Sequence, residues 1–197
     1  AEPFFFKNAK TKDGPERMST VMDVFAWVMC VGFVLIISGL DYLKFFVDDK
    51  FWTGLHLVPI LLLANVILGI NTNLNVWYKV SDKTVYGIYI TFVGLVITVV
   101  GNVVLIPVLG ILGAACTTLA AYFAMFIASV LWGRKHYPVP YNWSKIGAFV
   151  GFACLVVFIL HYTNWASGPL KVLGGMVYLG IMLFWERNGL LKFATKK

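Results

Sequence analysis

Residues Tyr86–Leu105 read YGIYITFVGLVITVVGNVVL, and Ile111–Trp132 read ILGAACTTLAAYFAMFIASVLW, with only Ile106-Pro107-Val108-Leu109-Gly110 between them. No Asp, Glu, Lys or Arg occurs from Thr84 to Gly133. A bilayer hydrocarbon core of about 30 Å takes roughly 20 apolar residues of helix to cross. Each run is therefore long enough to span, and neither shows the alternation of a strand. Pro107 lacks an amide hydrogen and Gly110 tolerates the backbone of a tight turn, so the sequence predicts that the first run stops at Pro107 and the second restarts at once.

Four further runs fit the same length. Together they give six expected spans: Met18–Leu40, Leu55–Val76, Tyr86–Leu105, Ile111–Trp132, Ile146–Tyr162 and Pro169–Trp185. The last two are short for a bilayer and predict upright helices or local thinning. Ser144 is placed to cap the fifth, and Pro169 suits the first turn of the sixth. Composition agrees: of 197 residues 60% are hydrophobic and 13% charged, against about one quarter charged in a typical soluble domain. The expected fold is all-α, a polytopic integral membrane helical bundle. Its expected parts are a tail at 1–17, four spans over 18–132, a loop at 133–145, two spans over 146–185 and a basic tail at 186–197.

The net charge of +7 invites a nucleic-acid reading, but the distribution of cations explains it otherwise. With six spans, thirteen Lys and Arg residues fall on one face: Lys7, Lys10, Lys12, Arg17, Lys79, Lys83, Arg134, Lys135, Lys145, Arg187, Lys192, Lys196 and Lys197. Only Lys44, Lys50 and Lys171 fall on the other. By the positive-inside rule the thirteen mark the cytoplasmic side, so both termini are expected there and the number of spans is even. Trp77, Tyr78, Trp132, Tyr137, Tyr141, Trp143 and Trp185 then sit at cytoplasmic span ends, and Trp52, Tyr162 and Trp165 at outer ends, as interfacial belts. The outer turn with Asp41, Asp48 and Asp49 reads as solvated. The partner implied is lipid, not nucleic acid.

No catalytic constellation emerges, and no enzyme activity, cofactor or metal is expected. His56, His136 and His161 lie near three different span ends and suit the interface. Cys30, Cys116 and Cys154 sit inside apolar runs as small buried residues, without metal or redox spacing. Gly147 and Gly151 on the fifth span, and Ala120, Ala124 and Ala128 on the fourth, read as helix-packing surfaces.

Polar residues within spans are the candidates for a substrate path. Asp23 lies just over one turn into the first span, where a carboxylate is either a functional group or a favourable partner of the helix N-terminus. Asn65, Asn71, Asn73 and Asn75 cluster on the second span and Asn102 lies on the third. Asn71 and Asn75, four apart, share a face that Asn73 does not. Such amides either bond neighbouring helices together or line a watery cavity whose ligand has many hydroxyls. A phosphate-bearing substrate finds no mid-membrane cation; Lys79, Lys83, Arg134 and Lys135 form the candidate basic rim, and topogenic charge explains them equally.

Several stretches resemble one membrane-transport family. These are Glu2-Pro3-Phe4-Phe5-Phe6-Lys7, Val58-Pro59 through Asn65 to Asn75-Val76-Trp77-Tyr78-Lys79, Asn102 to Pro107 with Gly110 to Ala115 and Thr118, and Tyr137-Pro138-Val139-Pro140-Tyr141. In order and spacing they are similar to the later spans of bacterial polysaccharide-export flippases of the multidrug/oligosaccharidyl-lipid/polysaccharide superfamily. The resemblance implies a MATE-like transporter of two six-helix lobes that moves polyprenyl-linked oligosaccharide across the bacterial cytoplasmic membrane by alternating access. It also implies that these six spans are the C-terminal half, four from the second lobe plus two peripheral helices, and that the N-terminal half of the same protein is a partner. A multidrug or peptidoglycan-precursor exporter of the same fold, an integral-membrane polyprenyl-sugar transferase and a purely structural subunit are the competing expectations.

Overall fold

The computed structural model describes residues 14–162 and 168–195, with side chains placed for 14–161 and 168–186. Glu2–Lys7, Lys10, Lys12, Trp165, Lys196 and Lys197 lie outside the described residues, as do the side chains of Tyr162, Arg187 and Lys192. Among the described residues every regular element is a helix. In chain order these are α1 (Gly14–Ser38), a single turn α2 (Leu40–Leu43), 3-10 segments Lys44–Phe46 and Asp49–Leu57, α3 (Val58–Leu74), α4 (Val76–Val80), α5 (Val85–Leu109), α6 (Ile111–His136), α7 (Trp143–Tyr162) and α8 (Gly168–Thr195). Six stretches are long and apolar enough to cross a membrane: Gly14–Ser38, Asp49–Val80, Val85–Leu109, Ile111–His136, Trp143–His161 and Gly168–Glu186. The chain is a multi-pass, all-α membrane protein.

The helices start and stop for local reasons, some of which differ from expectation. α1 begins four residues early, with Pro15 and Glu16 in its first turn, where a missing amide hydrogen is harmless and a negative charge is favourable. α7 is capped by Asn142, not Ser144. Its Oδ1 accepts from the Lys145 amide at 3.1 Å, and the helix runs one turn longer than predicted. α5 passes through Pro107 and ends at Leu109. The proline costs only its own amide bond in this final turn, whereas reversing the chain needs a positive φ. Gly110 supplies it (φ 57°), its amide donating to the Ile106 carbonyl at 2.8 Å.

The chain divides into two compact units. One comprises the residues up to Met22 with Ile60–Tyr141; the other comprises Asp23–Pro59 with Asn142 onward. In the first unit, α5 and α6 form an antiparallel hairpin whose register follows from its close approaches. Tyr86 meets His136, Gly94 meets Met125, Gly101 meets Thr117 and Leu105 meets Gly113. The packed row on α6 is Gly113, Thr117, Ala121, Met125, Ser129 and Gly133, each one turn from the last. The expected stripe Ala120, Ala124, Ala128 is one position off: Ala120 is exposed and the other two are half-buried. Small residues win the interface because lipid gives no hydrophobic drive to helix pairing, so close backbone approach must supply the attraction. Near the end of this unit, Met18 and Val76 pack with Val21, Val80, Tyr137 and Val139, and Ser19 Oγ donates to the Pro140 carbonyl at 2.8 Å.

The second unit is built on the Asp23–Ser38 part of α1 with α7 and α8. Trp27 Nε1 donates to the Met182 carbonyl at 3.1 Å, and Phe152 stacks on Tyr178 with centroids 5.2 Å apart. A Cβ on Gly175 would meet Ser38 Oγ at 2.5 Å, so glycine sets that approach. Gly147 and Gly151, expected to pack, are exposed, and a Cβ added at either would meet nothing within 4 Å among the described residues. The outer surfaces are apolar: along α5, Ile88, Phe92, Leu95, Val99 and Val103 are all exposed, a row suited to lipid tails and not to water.

A Cβ at Gly113 would lie 2.5 Å from the Leu105 carbonyl oxygen, which is backbone and cannot move aside. Gly113→Leu is expected to destabilise the chain by about 1–3 kcal/mol, as overpacking does. Gly151→Leu is expected to leave the detergent-solubilised thermal midpoint unchanged. Equal midpoints for both variants would refute the hairpin register.

Candidate functional site

The first unit gathers polar and aromatic side chains where α3 passes into α4. The Asn75 amide donates to the Asn71 carbonyl at 2.9 Å, so the helical path is nearly continuous there. Ser129 Oγ, on the packed row of α6, donates to Asn75 Oδ1 at 2.7 Å, and Trp77 Nε1 donates to Ser129 Oγ at 3.2 Å. Trp77 is 2% exposed, and a Cβ on Gly133 would come within 3.1 Å of its ring. It is therefore a core residue and not the interfacial anchor expected. His136 stacks on Trp77 with centroids 5.7 Å apart and planes 10° apart. Its Nε2 lies 3.1 Å from the Tyr86 hydroxyl and its Nδ1 lies 2.9 Å from the Trp132 carbonyl. Tyr89 and Trp132 extend this ring cluster.

The five amide and acid candidates separate on this geometry. Asn65 is exposed, its Nδ2 donating to the Leu61 carbonyl of its own helix at 2.8 Å. Asn75 bonds two helices together through Ser129. Asn71 is 1% exposed, yet its Oδ1 has no donor among the described residues, and the same holds for the buried Oδ1 of the half-buried Asn102. Asn71 and Asn75 lie within one turn of each other as predicted, but only Asn71 keeps an open acceptor. Of the basic rim, Lys83, Arg134 and Lys135 are exposed and Lys79 is half-buried. Lys79 stands in the last turn of α4 and Arg134 and Lys135 in the last turn of α6, where the helix dipole favours positive charge. In the connection that follows α6, burial pushes the Tyr137 and Tyr141 phenols above their ordinary values.

The second unit holds a charge cluster whose members the sequence places in a span, a loop and a tail. Lys145 Nζ lies 3.2 Å from Asp23 Oδ2 and 2.7 Å from Glu186 Oε1, and sits 5.5 Å from the centre of the Phe149 ring. Glu186 is 3% exposed and closes the last membrane-spanning stretch, within α8 and not in the basic tail expected from residue 186 on. One ammonium thus lies against two carboxylates, and Asp23 Oδ1 has no donor among the described residues. The available clue was sign and depth. Asp23, Lys145 and Glu186 all fall within about two turns of span ends on the cation-rich face, where opposite charges on adjacent helices meet. Elsewhere in this unit Lys171 Nζ pairs with Asp41 Oδ2 at 3.0 Å, so part of the acidic turn is bonded and not merely solvated.

No metal-holding group of three or more His, Cys, Asp or Glu side chains occurs among the described residues, and the three cysteines are free thiols. No protein-family model, curated protein or solved structure matches the chain.

Removing one partner of a buried ion pair is far costlier than neutralising all of them, because the orphaned charges keep their desolvation penalty. Lys145→Met is expected to lower stability by about 1–3 kcal/mol, less than a fully buried pair costs because the lysine side chain is 24% exposed. Adding Asp23→Asn and Glu186→Gln to it should restore most of the loss. Thermal unfolding in detergent reads both, and a Lys145→Met midpoint equal to that of the unaltered chain would remove the cluster from the structural core.

Proposed function

We propose that the chain is the C-terminal half of a flippase that moves polyprenyl-linked oligosaccharide repeat units across a bacterial cytoplasmic membrane by alternating access, with both termini on the cytoplasmic side. The observation that carries the reading is Asn71: a buried amide in a membrane-spanning helix whose carbonyl oxygen meets no donor among the described residues. Leaving such an acceptor unmet costs about 1–3 kcal/mol, so the position favours a hydroxyl from water or from a ligand. An oligosaccharide head brings many hydroxyls and cannot enter hydrocarbon without replacing their bonds to water. The order of motifs over the whole chain supports the same class, and the basic residues at the ends of α4 and α6 suit a pyrophosphate at the membrane surface.

A second reading, an ion-coupled multidrug or peptidoglycan-precursor exporter, draws on the paired carboxylates Asp23 and Glu186. Such exporters require acids within the helices, and the cluster provides two. The transferase alternative has no comparable support, since the acidic turn is partly consumed by Asp41–Lys171.

Export of surface polysaccharide in cells carrying the whole protein separates the readings. Asn71→Ala should reduce export several-fold at unchanged protein level, whereas Asn75→Ala should act through stability and reduce the amount of protein. Unchanged export in Asn71→Ala would overturn the first reading, and loss of ion-driven drug efflux in Asp23→Asn at unchanged protein level would favour the ion-coupled one.

A further inference from the structure

The connection between α1 and α3 is unlike a solvated turn. Within residues 42–52 the side chains of Tyr42, Leu43, Phe45, Phe46, Val47, Phe51 and Trp52 are all exposed, with Phe45 at 72%, Phe46 at 89% and Phe51 at 66%. A loop in water does not gather seven large apolar side chains on its surface. Its polar groups are meanwhile bonded inward. The Val47 amide donates to the Lys44 carbonyl at 3.1 Å and the Phe51 amide to the Asp48 carbonyl at 2.9 Å. The Lys50 amide donates to Asp48 Oδ1 at 3.0 Å, and the indole of Trp52 donates to the Lys44 and Val47 carbonyls at 3.2 and 3.1 Å. Internally bonded backbone with outward apolar side chains is what a lipid environment demands and what water does not require.

We infer that Leu43–Trp52 is an interfacial anchor, lying at the boundary of headgroups and acyl chains of one leaflet with Phe45, Phe46 and Phe51 turned into lipid. The bilayer is the occupant of this surface because the segment follows one membrane-spanning stretch, Gly14–Ser38, and includes the first residues of the next, Asp49–Val80, and so lies at the depth where hydrocarbon ends. Tyr and Trp rings such as Tyr42 and Trp52 favour that depth, and Phe supplies the apolar face of interfacial segments. Lys44 Nζ rests 5.4 Å from the Phe45 ring and 5.7 Å from the Trp52 ring, which holds an ammonium at the level of lipid phosphates. Asp48 and Asp49 mark the water-facing side. The inference concerns only how the chain seats in its membrane and stands apart from any transported substrate.

Spin labels at Phe46→Cys, Phe51→Cys and Asp49→Cys, in a background with Cys30, Cys116 and Cys154 changed to Ala and reconstituted in phosphatidylcholine liposomes, test the placement. The labels at 46 and 51 should collide several-fold more with dissolved oxygen than with a water-soluble nickel chelate, and the label at 49 should show the reverse. Nickel access at 46 and 51 would make the segment a solvated loop, and shielding from both reagents would make it a surface covered by protein; either overturns the inference. Hydroxyl-radical footprinting of the unsubstituted chain in the same liposomes needs no variant. Phe45, Phe46 and Phe51 should be oxidised no more than Phe92 of α5, and several-fold greater oxidation would contradict the anchor.

Discussion

Hydrocarbon offers no hydrogen bonds, and that single condition governs this chain at every level. Each backbone amide and carbonyl must find its partner within the protein, so the crossing segments are helices. The same demand reaches the side chains. Thr20, Thr72, Thr91, Thr98, Thr117 and Thr118 each return their hydroxyl to the carbonyl one turn earlier. Trp27 and Trp77 spend their indole hydrogens on a carbonyl and a serine of neighbouring helices. Against that background four buried side-chain oxygens stand out, those of Asp23, Asn71, Asn102 and Tyr178, because each meets no partner among the described residues.

Cohesion between helices needs a different source, since lipid is as apolar as the helix surfaces. In the first unit it comes from close approach, with Gly94, Gly101 and Gly113 allowing Met125, Thr117 and Leu105 to touch backbone. In the second it comes partly from charge. Lys145 ties the carboxylates of Asp23 and Glu186, its ammonium 5.5 Å from the centre of the Phe149 ring. A charged cluster near a span end is costly to desolvate but strongly directional, so its value to the fold is orientation as much as energy.

The architecture was legible because its signals are long. Twenty apolar residues without a charge have one reading, and all six spans lie where the runs of Leu, Ile, Val and Phe place them. Ends were less legible. Asn142 beat Ser144 as a cap through a bond that depends on backbone geometry, and Pro107 yielded to Gly110 because only a positive φ turns the chain. Packing faces were misread by one position on α6, since Ala120, Ala124 and Ala128 share their spacing with the true row from Gly113 to Gly133 and composition alone does not say which is turned inward. At the candidate sites, the sequence shows that amides cluster but not which are satisfied. Ser129, Asn75 and Trp77 find one another over more than fifty residues, and Lys145 and Glu186 join Asp23 across long separations.

Six crossings with an even parity underlie both the fold and the transport reading, and topology can be read directly. Compartment-sensitive reporters are inserted at Asp82, at Asp49 and after Lys197 of the chain expressed in a bacterial membrane. The expected result is a cytoplasmic signal from the first and third and an external signal from the second. Opposite signals from the Asp82 and Lys197 sites, or the same signal from all three, would contradict the six-span arrangement.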